Sequence, residues 1–111
     1  MAVTSNLVID QGSDFSIVIR YLDDDGTAID LTGHQARSKM RRSYYSANAT
    51  TFAATISDAS NGNVTLTLDA NTTANLKAGR YVYDVEVVAN ATYTVTRIVE
   101  GTIIVMPEVS R

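Results

Sequence analysis

An all-β sandwich of two antiparallel sheets is the fold this sequence predicts, and three observations predict it. Short stretches alternate apolar and polar residues with a period of two, as strands with one buried face require. Turn-forming residues interrupt these stretches every ~8–12 positions, the spacing expected of sandwiches. No long helical pattern exists to cover a parallel sheet. The expectation is about seven strands with one short crossover helix, filling residues 1–111 as a single domain.

The totals narrow the function classes. A chain of 111 residues with 45% apolar content is long enough for a real core; such a domain buries roughly two-thirds of its unfolded surface. Cysteine is absent, which excludes disulfides, zinc–thiolate sites and thiol nucleophiles. A net charge of -3 and a pI near 4.9 point away from a nucleic-acid partner. No apolar run approaches the ~20 residues of a membrane span, so no membrane partner is expected. Met1-Ala2-Val3-Thr4-Ser5-Asn6 lacks a basic segment followed by an apolar one, and no secretory signal is expected. The Asn-x-Thr sequons at Asn48, Asn63, Asn71 and Asn90 are read as chance in a Thr-rich chain.

Taken in order, Leu7-Val8-Ile9-Asp10 is a first short strand, ended by Gln11-Gly12-Ser13. Asp14 to Leu22 follows, with Phe15, Ile17, Ile19 and Tyr21 on one face. Asp23-Asp24-Asp25-Gly26-Thr27 is a turn, because Asp-Gly supplies the positive φ that tight hairpins need. Its three carboxylates do not have the spacing of a calcium loop, and a solvated turn is the preferred reading. Ile29 to Gly33 is a brief extended piece and a second turn.

His34 to Arg42 alternates Ala36, Ser38 and Met40 with Arg37, Lys39 and Arg41. Four of the nine basic residues lie between Arg37 and Arg42. The preferred reading is an exposed face that discourages edge-to-edge pairing; the functional reading is contact with an acidic partner or phosphate. Ser43 to Asn48 is an exposed loop whose Tyr44 and Tyr45 are candidate contact residues. Arg37, Lys39, Arg41, Arg42, Tyr44 and Tyr45 are therefore the candidate partner-contact set.

Thr51 to Ser57 is a modest strand with Phe52, Ala54 and Ile56 on one side. Asn61-Gly62 centres the turn that pairs it with Val64, Leu66 and Leu68 as a hairpin. Asp69 or Asn71 caps a short crossover helix whose Leu76 points inward. Gly79 to Val88 is the longest clean alternation: Tyr81, Tyr83, Val85 and Val87 share one face, and Val82, Asp84, Glu86 and Val88 the other. Tyr93 to Val99 and Thr102 to Met106 form the closing strand or strands, with a bulge or kink expected at Glu100-Gly101. Pro107 ends the last strand.

Leu76 to Tyr83 resembles the tyrosine corner of immunoglobulin-like domains. That likeness makes the sandwich immunoglobulin-like and implies that the Tyr81 hydroxyl bonds backbone near the crossover. Catalysis has no visible residues: nothing aims His34 at a serine, and Asp84 and Glu86 read as solvated residues rather than a glycosidase pair. No phosphate loop or metal cluster is present, so a non-enzyme without cofactors is expected.

Three segments together look familiar: Tyr21 to Gly33, Ile56 to Leu66, and Ala78 to Val85. In order and spacing they resemble small virion proteins of tailed bacteriophages and are similar to the N-terminal domain of phage baseplate upper proteins. The ending from Glu100 to Val109 also looks like that group. The resemblance implies a structural protein of the virion, assembled in the host cytoplasm in several copies. It would dock on other virion proteins in the tail or baseplate region. The alternatives are a head decoration (cement) protein and a free module binding carbohydrate or a host-surface ligand.

Overall fold

The computed structural model describes residues 3–23, 25–43, 45 and 48–109. Its strands are β1 (Val3–Thr4), β2 (Leu7–Asp10), β3 (Phe15–Arg20), β4 (His34–Arg41), β5 (Thr50–Thr51), β6 (Ala53–Asp58), β7 (Asn63–Leu68), β8 (Gly79–Ala89) and β9 (Val95–Met106). Among the described residues one α-helix, α1 (Ala70–Ala74), joins β7 to β8, and a single 3-10 turn, Ala59–Asn61, joins β6 to β7. The larger sheet runs β1-β9-β8-β4-β5, with β2 also on β9, and the smaller runs β3-β7-β6. Two such sheets face to face make an immunoglobulin-like sandwich.

The alternation expected for β8 is the one observed. Tyr81, Tyr83, Val85 and Val87 are buried against Val64, Leu66 and Leu68 of β7 and Ile103 and Val105 of β9. Tyr81 Oη donates to Lys77 O at 2.7 Å, which is the tyrosine corner. Asp69 caps α1 by accepting from Thr72 N at 2.8 Å, and Leu76 is buried as expected.

Four expectations are corrected. Nine strands are described rather than about seven, and β1 and β2 run parallel to β9, so the larger sheet is mixed. The strand expected over Thr51 to Ser57 is divided at Phe52. Thr50–Thr51 pairs with β4 in one sheet, and Ala53–Asp58 pairs with β7 in the other. Phe52 marks the switch: its N–H bonds Ser38 O, and its buried ring lies 6.0 Å from Phe15 and 6.5 Å from Tyr83. The last strand is continuous, and its irregularity lies at Ile98 instead of Glu100-Gly101.

Gly101 has a different duty. A side-chain carbon there would overlap Ser5 O and the Ser5 carbonyl carbon. The N-terminal arm crosses at that point, held by Ser5 N to Glu100 O at 2.9 Å and Tyr83 Oη to Ser5 O at 2.7 Å. Asn6 Oδ1 accepts from both Thr102 N and Thr102 Oγ1. Gly62, at φ 67°, follows the turn Ala59–Asn61 and passes so near Tyr21 O and Ile29 O that any side chain would clash.

Candidate functional site

The outer face of β4, β8 and β9 gathers seven charged side chains: Arg37, Lys39, Arg41, Asp84, Glu86, Arg97 and Glu100. Cross-strand register sets three rows there. They are Arg41–Val82–Thr102, Lys39–Asp84–Glu100 and Arg37–Glu86–Arg97. Directly opposed side chains on one face of a sheet lie close enough to pair. Arg37 Nε meets Glu86 Oε1 at 2.8 Å, and Arg97 reaches Asp84 Oδ2 at 3.4 Å and Glu100 Oε2 at 3.3 Å. A shallow hollow of about 410 Å³ opens over these rows, with Thr51 at its rim.

Arg97 belongs to this face because of a bulge. Val85 pairs with Val99 and Glu86 with Arg97, leaving Ile98 as the extra residue. Strict alternation would put Ile98 outside and Arg97 inside. The bulge turns Ile98 and Val99 both into the core and swings Arg97 outward.

The electrostatics follow from crowding. The Asp84 carboxyl lies above the ordinary carboxylate range because burial disfavours its charge and Glu86 repels it; Arg97, Arg37 and Arg41 oppose the shift. The long Arg97 contact alone would suggest a lowered value. Burial outweighs it, because that ion pair is half open to water. From the inner face of the neighbouring β4, Ser38 Oγ donates to the Asp84 backbone carbonyl at 2.5 Å. The Tyr83 phenol is pushed up by its burial, with the bond to Ser5 O opposing.

The six sequence candidates do not form one patch. Arg37, Lys39 and Arg41 share the outer face of β4, opposite Glu86, Asp84 and Val82. Arg42 falls on the other parity and turns to the end of the core. Its guanidinium stacks 4.9 Å over the Tyr81 ring, and Nη1 lies 3.5 Å from Ala78 O. Tyr45 is exposed, and Tyr44 lies outside the described residues. His34 Nδ1 sits 3.2 Å from Thr32 O at the start of β4. Among the described residues no three His, Asp or Glu side chains gather into a metal-binding group, and no helix is long and apolar enough to cross a membrane.

No family model matches the chain, and no curated protein matches it. Solved structures do. InlP of Listeria monocytogenes is 18% identical over 95% of this chain, with a TM-score of 0.49. The family 123 glycoside hydrolase of Clostridium perfringens is 16% identical over 97%, with a TM-score of 0.43. The NK cell receptor Nkp44 is 13% identical over 96% of this chain and 99% of its own, with a TM-score of 0.45. This chain spans 28% of InlP and 24% of the hydrolase. At these scores the likenesses carry no argument about the site.

Sequence reasoning placed Arg37, Lys39 and Arg41 on one face, and Asp84 and Glu86 on another strand's outer face. It did not bring the two sets together, and it missed Arg97 and Glu100. A signal was present: Arg97-Ile98-Val99-Glu100 sets two adjacent apolar residues between charges, which breaks a period of two where a bulge restores it.

Proposed function

We propose that this chain is a non-catalytic structural component of a tailed bacteriophage virion, docking on neighbouring subunits in the tail or baseplate region. The particle is supported by the likeness of the segments Tyr21 to Gly33, Ile56 to Leu66 and Ala78 to Val85 to small virion proteins. Docking is supported by one observation, the rows of charge on the outer face of β4, β8 and β9. Arg37, Glu86, Arg97, Asp84 and Glu100 hold one another in place across three strands. A face whose charges are already oriented loses little side-chain freedom when a complementary subunit arrives.

A carbohydrate module fits this face less well. Sugar rings are gripped by exposed aromatic planes, and the one aromatic residue lining the hollow, Tyr83, is buried. The test is mass spectrometry and electron microscopy of particles purified from the phage that encodes the chain. The expected result is a fixed copy number at a tail or baseplate position, reduced at least about tenfold by Arg97→Glu together with Lys39→Glu. Absence of the chain from purified particles refutes the reading.

A further inference from the structure

The strand β3 ends one side of the smaller sheet, and among the described residues β7 is its only hydrogen-bonded neighbour. In many sandwiches the first strand lies beside it. Here β1 and β2 have gone to β9 instead, and the edge of β3 is left open.

Its register shows which backbone groups are free. The six pairs from Phe15–Leu68 to Arg20–Asn63 run without a shift. Tyr21 N bonds Gly62 O at 2.7 Å, one step beyond the last pair. In an antiparallel ladder alternate residues turn their N–H and C=O to the same neighbour. Ile19, Ile17 and Phe15 therefore face β7, as Tyr21 does. Ser16, Val18 and Arg20 turn theirs outward, where the described residues place no strand. The hairpin arm after β3 does not cover them, because Ile29 N bonds Tyr21 O and Leu31 N bonds Ala59 O on the β7 side.

Every other edge carries a guard. The β6 edge has a register shift between Ile56 and Asp58. The β4 edge carries Arg37 and Lys39 and is partly covered by β5. The β1–β2 edge is broken at Ser5–Asn6. β3 has no bulge, no proline, no glycine and no charge before Arg20, and edges of that kind pair with other strands. Phe15 and Ile17 point toward the core yet stay only half-buried, and Val18 is 56% exposed on the outer face.

We infer that β3 is a self-pairing edge, and that two copies of this chain join β3 to β3 antiparallel about a two-fold axis through Ile17. Only registers that pair like faces are allowed. In the register centred on Ile17, Ser16 opposes Val18 of the second copy, and Asp14 opposes Arg20. The even-numbered residues with free backbone groups are then the ones that meet; Asp14 accepts from Ala70 N through Oδ1 at 2.8 Å, so only its other oxygen is left for Arg20 of the second copy at each end. The product is a continuous sheet β6-β7-β3-β3-β7-β6 of closed two-fold symmetry. This inference stands on strand geometry and does not depend on the virion reading.

Sedimentation equilibrium with Val18→Pro tests it. The Val18 N–H bonds nothing within the described chain, so the ring removes an intermolecular bond while the β7 ladder stays whole. The expected result is a wild-type dimer with a Kd on the order of 10–100 µM, the regime of a small interface. Val18→Pro should weaken it at least about 30-fold with its melting point little changed. Amide exchange of wild type at low and high concentration gives a readout independent of that variant. Ser16, Val18 and Arg20 should gain about tenfold or more protection on concentration, while Ile17 and Ile19 stay protected throughout. A monomer at all concentrations, a dimer that Val18→Pro leaves unchanged, or amides that gain no protection each overturn the inference. A monomeric chain found in virions sinks this inference alone; a dimeric chain absent from virions sinks the particle reading alone.

Discussion

Removing the Tyr81 hydroxyl is the sharpest test of how the sandwich is held. Tyr81 is 6% exposed, and its Oη donates to Lys77 O at 2.7 Å. That bond ties the end of the crossover to the first inward residue of β8. Tyr81→Phe loses one neutral hydrogen bond. Lys77 is exposed, so water can serve its carbonyl, and the cost stays at about 1–1.5 kcal/mol. For a domain of this length each 1 kcal/mol moves the midpoint by about 4 °C. Tyr81→Phe should therefore melt about 4–6 °C lower. Tyr81→Ala also removes the ring and should cost about 3–5 kcal/mol, a large share of a typical ~5–15 kcal/mol.

The assay is thermal and urea unfolding of both variants, with equal urea slopes required before midpoints are compared. Arg42 supplies a control, since its guanidinium stacks on the ring and not on the hydroxyl. Because the two side chains touch, Arg42→Ala and Tyr81→Ala should couple by about 0.5 kcal/mol or more, while the coupling to Tyr81→Phe, which keeps the ring, should be smaller. A Tyr81→Phe midpoint within 1 °C of wild type, or a Tyr81→Ala protein that melts within a few degrees of it, refutes the corner as a source of stability.

Two further predictions concern the arm and the charged face. Gly101→Ala forces a carbon onto Ser5 O, so the arm must leave β9; we expect about 2 kcal/mol lost by urea unfolding, and a loss under about 0.5 kcal/mol would show that the crossing is loose. For Asp84 the folded protein favours the neutral acid, because burial raises its pKa above 3.8. The sign is then set: the group's contribution is fully present below the unfolded value and is lost as pH rises through the folded one. Asp84→Asn should be at least as stable as wild type at pH ~7, with the two converging near pH ~3. A loss of more than about 1 kcal/mol at neutral pH would mean that Arg97 attracts the carboxylate more than burial penalises it.

What was legible in the sequence was what alternation encodes. Tyr81 to Val88 showed both faces of β8 because side chains on a strand change sides at every step. The capping by Asp69 and the turn before Gly62 were legible because each needs only three or four neighbouring residues. Arg42 was grouped with Arg37, Lys39 and Arg41 as a contact candidate, but it follows Arg41 directly, adjacent residues on an extended chain point opposite ways, and its guanidinium lies over the Tyr81 ring. The bulge was misplaced from Ile98 to Glu100-Gly101 and the Phe52 switch went unforeseen, because each depends on a partner strand far along the chain. Val85 and Glu86 define the first, and Ser38 the second.

One long-range choice links several of these features. β9 takes β1 and β2 as parallel neighbours, so it must pass under a crossing chain at Ser5–Asn6, and Gly101 sits where any side chain would block that passage. Tyr83, otherwise a core ring, turns its hydroxyl to the same crossing. The arm is thereby fixed to the larger sheet and withheld from the smaller one. The parity of β3 then leaves Ser16, Val18 and Arg20 with backbone groups directed into open space. The crossing at Gly101 and Tyr83, together with the β1–β9 and β2–β9 ladders, thus keeps the arm on one sheet while the other ends in an unguarded strand. Loosening the arm with Gly101→Ala would free it to compete for that edge, so the variant should weaken β3 self-pairing as well as the fold.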